Sequence, residues 1–428
     1  MTAESRMLLV LCAVFLILGC QSPTTTASNS NSGGAGTATS LKGTLYDGST
    51  SAPLAGATVY WGSQTATTVS DGTFSIPLSQ NTGTLTADFG ISKPGYKVVF
   101  FQSMPVDAGN PPVVSFDLSP LVSTTSNSVT ITLKLTDQNG VELPAGTPIC
   151  FTVAFSGGSS STTATYSTGG SSLTMGGSGF TSTSSVRIDE LSSTTQFPIA
   201  TAWMSNVNLS GPTANLGTVQ LTTNPDVTFT GGSSASVYYE TSNNNVLLST
   251  NYSPLSGAVP VAAPPASTLV AVASHATFNT SDGYMGINDA LGAEVSSLSS
   301  NMTLPTLTGS PITGGPAVAP TYSSGTLTLS AVSGANLYQV LIVPANGSST
   351  FSLSLVSANP TIVLPAWVTA AVAGSQADVS TSVENFSLDT QSFFEMALHD
   401  IPLSNVSFST LYAYSGTGSN NLDATLQF

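Results

Sequence analysis

The chain has 428 residues, of which only 6% are charged and 40% are hydrophobic, and its formal net charge is −15. Six Lys and Arg residues are too few to neutralise a nucleic-acid backbone or to dock on anionic lipid, so composition argues against both partners. Disordered chains are poor in apolar residues, whereas this chain has a mean hydropathy of +0.25 and short alternating apolar runs. Composition therefore predicts an all-β protein of tandem β-sandwich domains.

The first segment has a short charged start and then the apolar run Met7–Leu18. A transmembrane helix takes about 20 residues, so this run has the length of a secretory signal. Its end, Ile17-Leu18-Gly19-Cys20, resembles the lipobox of bacterial lipoproteins. In that family the signal is removed before the cysteine, which is acylated with fatty acids such as palmitate. The resemblance implies a signal peptide over 1–19 and a membrane anchor at lipidated Cys20. The alternatives are an ordinary signal peptide and an uncleaved anchor.

Residues 20–40 are built mainly of Ser, Thr, Gly, Asn and Ala and lack apolar periodicity, which predicts a flexible tether. Gln21 follows Cys20, and this resembles lipoproteins that Gram-negative bacteria sort to the outer membrane. We therefore expect an outer-membrane lipoprotein of a bacterial cell envelope, on its periplasmic or its surface face.

Residues 41–120 contain Pro53-Leu-Ala-Gly-Ala-Thr-Val59, the hairpin signal Asp71-Gly72 and Lys93-Pro-Gly-Tyr96. The glycine supplies the positive φ that a tight hairpin turn needs. Four apolar positions alternate toward one face: Leu45, Val59, Phe74 and Ile76. These motifs resemble the carboxypeptidase regulatory-like family of small transthyretin-like β-sandwiches. The resemblance implies a structural or adhesive module without catalytic residues.

Residues 121–224 open with strict alternation over Ser128–Thr136, which predicts a half-buried strand. A turn and a returning apolar strand through Cys150 follow, and this order resembles bacterial immunoglobulin-like domains. We expect Cys150 to act as a small buried hydrophobic residue. The Ser/Thr/Gly-rich stretch Ser156–Ser185 predicts a loop with a short edge strand.

Residues 225–320 predict a β-rich connecting region with a short helix over Asn288–Leu298. In residues 321–428, the apolar spacing over Leu327–Val343 resembles strands B and C of fibronectin type III domains. The later strands of that domain are expected at Phe393–Leu398, Phe408–Tyr414 and Ala424–Phe428.

Catalytic and metal motifs are absent from the sequence: it has no G-x-S-x-G nucleophile elbow and no H-E-x-x-H zinc motif. His275 and His399 are expected to be structural, and we predict no catalytic residue, resident metal or other cofactor. Calcium is conceivable at aspartates in predicted turns, although turn formation alone explains them. These aspartates are Asp47, Asp71, Asp137 and Asp282.

Aromatic residues are the remaining signal for ligand binding. The candidates for contact with a surface protein or carbohydrate are Trp61, Trp203, Tyr238 and Tyr239, with Tyr60 and Trp367 in the same group. The competing interpretation places them in the sandwich core. The sequence as a whole predicts a lipid-anchored envelope protein with a non-catalytic binding, adhesion or scaffolding role. The alternative is an envelope hydrolase that acts on glycan or peptide.

Overall fold

The computed structural model describes residues 39–48, 52–121, 127–155, 158–177, 184–240, 247–263, 269–279, 285–291, 298–307, 312, 317–348, 350–386, 406–412 and 423–428. These residues form thirty β-strands and one short helix, α1 (Ala366–Val372), so the all-β prediction is confirmed. No helix among them is long and apolar enough to cross a bilayer.

The first strands form two sheets around one core. They are β1 (Ser40–Asp47), β2 (Thr58–Trp61), β3 (Gln64–Thr67), β4 (Thr73–Pro77), β5 (Thr84–Ser92), β6 (Val98–Asp107) and β7 (Val113–Leu118). β4, β1 and β7 make a three-stranded sheet, and the predicted alternating residues Leu45, Val59, Phe74 and Ile76 are all buried. Gly72 has the expected positive φ, 77°. Gly43 allows β1 to approach β7, because a Cβ at this position would collide with the Val114 carbonyl oxygen.

The next eight strands form a sandwich of two sheets. They are β8 (Asn127–Thr136), β9 (Pro148–Phe155), β10 (Gly158–Thr165), β11 (Ser171–Gly177), β12 (Ser184–Leu191), β13 (Pro198–Val207), β14 (Thr213–Gln220) and β15 (Thr222–Thr223). One sheet has the order β10-β9-β12-β13-β15 and the other β11-β8-β14. The predicted loop over Ser156–Ser185 is wrong in part, since it contains both β10 and β11. Leu173 and Met175 on β11 are buried by alternation, which explains why this polar stretch forms a strand.

The following region adds seven strands: β16 (Asp226–Thr230), β17 (Ala235–Glu240), β18 (Leu247–Tyr252), β19 (Ala258–Pro260), β20 (Leu269–Asn279), β21 (Met285–Leu291) and β22 (Asn301–Thr303). The predicted helix from Asn288 is wrong over Asn288–Leu291, because these residues belong to β21. Pairing with β20 on one side and with a later strand on the other outweighs the weak local helix preference.

The last strands are β23 (Thr321–Ser323), β24 (Thr326–Thr328), β25 (Leu337–Pro344), β26 (Leu353–Ser357), β27 (Thr361–Val363), β28 (Gln376–Phe386), β29 (Val406–Tyr412) and β30 (Asp423–Gln427). β29 and β30 match two predicted late strands, whereas Phe393–Leu398 lies outside the described residues. Helix α1 was not predicted, and it packs through Val368 and Val372, one turn apart.

One thirteen-stranded sheet runs through three of the predicted domains. Its order is β18-β17-β20-β21-β29-β28-β25-β26-β6-β5-β2-β3, with β30 paired to β28. Strands from the N-terminal part of the chain join those from its C-terminal part through one parallel pairing. Leu353–Val356 of β26 pair with Val98–Phe101 of β6. Hydrogen bonding therefore continues across the predicted boundaries at 120 and 320.

Candidate functional site

The four aromatic residues predicted to contact a ligand occupy two kinds of position. Trp61, Tyr238 and Tyr239 are 5%, 3% and 0% exposed and pack inside hydrophobic clusters. A ring buried to this extent has no open face for a ligand, as the core interpretation of these residues requires. Trp203 is half-buried and lines an open cleft, so of these four residues it is the candidate for ligand contact.

The cleft beside Trp203 has a volume of about 530 Å³ and lies between the two sheets of the second sandwich. Thr201–Met204 of β13 form one wall. The opposite wall comes from β14, through Leu216, Thr218 and Gln220. β15 and Asn224 close one end of the cleft. None of the residues that line it carries a charge.

The cleft exists because the chain changes sheets between β14 and β15. The Leu221 amide still donates to the Thr136 carbonyl of β8, at 2.8 Å. Three residues later, the Asn224 amide donates to the Ile199 carbonyl of β13, at 2.9 Å. β15 is only two residues long as a result, and it covers only the beginning of β13.

The Trp203 indole is fixed from behind by a buried cation. The Arg187 guanidinium lies 5.4 Å from the Trp203 ring centroid and 5.1 Å from that of Tyr239. The two rings are 5.2 Å apart, and the Trp203 indole N–H donates to the Ala263 carbonyl at 3.0 Å. A buried cation held against aromatic faces strengthens such contacts, so the position of the indole is set before any ligand arrives.

A chain of hydrogen bonds joins the floor of the cleft to this cation. The Asn224 side-chain amide donates to the Thr201 hydroxyl at 3.0 Å, and that hydroxyl donates to Asp189 at 2.6 Å. Asp189 also accepts from Arg187 Nε at 2.9 Å. Burial has the largest single effect and lowers the pKa of Arg187, but Asp189, Tyr239 and Tyr252 together outweigh it, and the pKa of Arg187 is raised. Burial also raises the pKa of Tyr239, so its hydroxyl stays neutral at any physiological pH.

The remaining predicted groups fall elsewhere. His275 lies within β20, while His399 and Cys20 are outside the described residues. Cys150 is partly buried on β9, and burial raises the pKa of its thiol, which keeps it protonated and poorly nucleophilic.

The turn aspartates bond to their own surroundings. Asp71 accepts from an amide and a hydroxyl two residues on, and Asp137 accepts from amides of its own turn. Asp47 accepts from the Tyr96 hydroxyl at 2.5 Å, whereas Asp282 is outside the described residues. In the part of the chain that the structure describes, no three His, Cys, Asp or Glu side chains are grouped as metal ligands.

Sequence reasoning missed the buried pair Arg187 and Asp189, and it also missed the buried acid Glu384. Glu384 on β28 is 0% exposed, and Gln339 Nε2 donates to its Oε1 at 2.8 Å. Its Oε2 has no hydrogen-bond partner, and burial raises the pKa of Glu384 to about 8. Ser380, Ser382 and Glu384 alternate along β28, a pattern that predicts a solvent-exposed polar face. The burial of Glu384 was therefore not predictable from its neighbours.

Comparisons with known proteins give only distant similarity. No family profile and no curated protein matches the chain. Among solved structures, the shaft pilin SpaA from Lactobacillus rhamnosus GG aligns at 14% identity and a TM-score of 0.14, over 44% of this chain and 98% of the pilin. A streptococcal ancillary pilin aligns at 9% identity and a TM-score of 0.15, over 62% of this chain and 98% of its own.

A tetra-tandem repeat from the extending region of a large adhesion protein covers 91% of this chain and 99% of its own. Its identity is 11% and its TM-score 0.12. At TM-scores this low, the alignments carry no argument about this chain.

Proposed function

We propose that this chain is a non-catalytic binding protein of a bacterial cell envelope, anchored by lipid at Cys20, that presents the cleft beside Trp203 to a ligand. The observation that carries the proposal is the position of Trp203. Its indole lies at an open cleft, while Arg187 and Tyr239 pack against it from behind and its N–H is bound by the Ala263 carbonyl. A binding group held in place before the ligand arrives loses little conformational entropy on binding.

The rest of the fold supports a scaffolding role for the same protein. The thirteen-stranded sheet connects β2, β3, β5 and β6 with strands near the last described residue, β28, β29 and β30. Trp367 of α1 stacks on Tyr60 of β2 with ring centroids 4.0 Å apart and an angle of 4° between the rings. Such contacts between distant parts of the chain favour a stiff support, and a tether over 20–40 would hold that support away from the membrane.

The test measures binding to saccharide and peptide arrays with a variant that blocks the cleft. Thr218 is exposed on β14 and lines the cleft, so Thr218→Arg obstructs it without disturbing the core. Thr174→Arg is the matched control, because Thr174 is also exposed but lies on β11, at the other edge of the same sheet.

We expect binding that Thr218→Arg abolishes and Thr174→Arg retains. Equal binding by both variants, or no binding by the native protein, would overturn the proposal. Turnover of the bound saccharide or peptide would instead favour an envelope hydrolase.

A further inference from the structure

We infer that the ligand of the cleft is an extended, uncharged peptide segment of a partner protein, which adds to β13 as a further strand. This inference rests on the proposed function, since it names the class of ligand that the same cleft takes.

The lining of the cleft shows that it follows the edge of a strand. Four consecutive residues of β13, Thr201–Met204, all line it. Consecutive side chains in a strand point to opposite faces of the sheet, so no pocket on one face touches all four. A cleft that contacts all of them runs along the backbone, where the peptide N–H and C=O groups emerge. The group that complements such an edge is another extended backbone.

The pairing of β13 indicates which backbone groups are available. β15 pairs with Ala200 and Thr201 only, and among the described strands none continues along that side of β13 beyond Thr201. In an antiparallel ladder, both backbone groups of every second residue point to the same side. Thr201 pairs with Thr222 of β15, next to the hydrogen bond from Asn224 to Ile199. The register of β13 against β12 is regular from Thr201 to Trp203, so the alternation directs the N–H and C=O of Trp203 outward, toward the cleft.

The side chains around this edge indicate the character of the peptide. Met204, Leu216 and Val219 are apolar, Thr218 and Gln220 are polar, and no charged residue lines the cleft. A charged peptide side chain would lose water here without gaining a partner, which is costly. An added strand with alternating apolar and uncharged polar residues matches both sets of contacts.

A polypeptide is favoured over a sugar by the state of the Trp203 ring. Sugar recognition by stacking uses a ring face, and Arg187 already occupies one face of the Trp203 ring, whereas no described strand pairs with this edge of β13 beyond Thr201. The cleft is also continuous with an intramolecular contact between β13 and the segment that follows β19, since Trp203 and Ala263 both line it and are hydrogen-bonded to each other. A peptide bound there would extend a contact of the kind that the chain already makes between its own units.

The experiment selects peptides from a random phage-displayed library on the full-length protein, with counter-selection on Thr218→Arg. The selected peptide is then compared with its N-methylated form, in which every second backbone N–H is replaced. N-methylation keeps all side chains but removes the donors that strand pairing needs. A saccharide array is run in parallel on the same protein.

We expect uncharged alternating peptides that bind the native protein and Thr174→Arg alike. N-methylation in one of the two alternating registers should weaken their affinity about tenfold or more. The inference is overturned if no peptide survives counter-selection, or if N-methylation in either register leaves the affinity unchanged. Saccharide binding that Thr218→Arg abolishes, without peptide binding, would overturn the inference and leave the proposed function standing. Absence of both would overturn both.

Discussion

Arg187 and Asp189 form a buried ion pair, with Arg187 Nε 2.9 Å from Asp189 Oδ1, directly behind the indole of Trp203. Their side chains are 3% and 6% exposed, and both lie on the outer face of β12, away from the core of their own sandwich. Tyr239 of the following region covers the cation from the other side. The pair therefore joins two parts of the chain and sets the position of the residue that we place at the ligand.

Removing the anion of this pair should be strongly destabilising. Asp189→Asn leaves Arg187 buried without a countercharge, and we expect a loss of about 3–5 kcal/mol in the free energy of unfolding. Urea denaturation, monitored by Trp fluorescence, measures this loss. The control is Lys134→Met, which breaks the ion pair of Lys134 with Glu142, where the lysine is 43% exposed; the expected loss is about 0–1 kcal/mol. Equal losses in the two variants would contradict the structural role given to Asp189.

The contact between α1 and β5 should appear as a strong coupling between two substitutions. A Cβ at Gly90 would collide with the six-membered ring of Trp367, so Gly90→Val should destabilise the fold. In a Trp367→Ala background only the Val99 carbonyl oxygen, at 3.1 Å, stays close to this Cβ, so the cost of Gly90→Val should fall by about 1–3 kcal/mol. Denaturation of the two single variants and the double variant measures this coupling energy.

Gly176 is the control for this cycle, because a Cβ there meets nothing within 4 Å. Gly176→Val should have a small effect that is the same with and without Trp367. Additive losses for Gly90→Val and Trp367→Ala would show that the two residues do not touch.

Glu384 should make stability depend on pH in the neutral range. Its pKa in the folded protein, about 8, lies above the ordinary value of 4.5 because burial disfavours the charged form. The folded state therefore holds the proton more tightly. The resulting stability is complete below about pH 4.5 and is lost as the pH rises to about 8.

Glu384→Gln keeps the shape of the side chain and cannot ionise, so it should remove this pH dependence and be the more stable protein at pH 8. Thermal unfolding of both proteins between pH 5 and 8 tests it. If both proteins lose stability in parallel over this range, Glu384 does not titrate as described.

Lipid attachment at Cys20 predicts a mass change in the protein expressed in a Gram-negative host. The native chain should begin at Cys20 and carry the mass of a diacylglycerol and an acyl group, while Cys20→Ser should lack it. Intact-mass spectrometry of the membrane fraction decides the matter. A native product cleaved at another position and free of lipid would mean a secreted or periplasmic protein.

Local signals in the sequence predicted local features well. The turn at Asp71-Gly72 and the alternating core positions follow from backbone geometry within a few residues. Val368 and Val372 lie one turn apart after Pro365, which is also a local pattern typical of a short helix.

Features that join distant residues were not predictable in the same way. The β6–β26 pairing and the hydrogen bond from Ser357 to Gln102, at 2.8 Å, link positions about 250 residues apart. The local sequence of Thr222–Asn224 does not indicate that the chain passes here from the sheet of β8 to the sheet of β13, which opens the cleft. For the same reason, Trp203 and Trp61 are equal candidates in the sequence, because neighbouring residues do not distinguish an aromatic at an open edge from one in a core.

Hydrogen–deuterium exchange across Ala202–Met204 tests the central claim most directly. The native protein is measured alone and with a saturating amount of the selected peptide, and the N-methylated peptide serves as the control. If an added strand occupies the edge of β13, the Trp203 amide gains a hydrogen bond. Its exchange rate with the peptide bound should then be lower by a factor of about ten or more. Unchanged exchange at Trp203, with protection at some other part of the described surface, would place the ligand elsewhere and contradict the account.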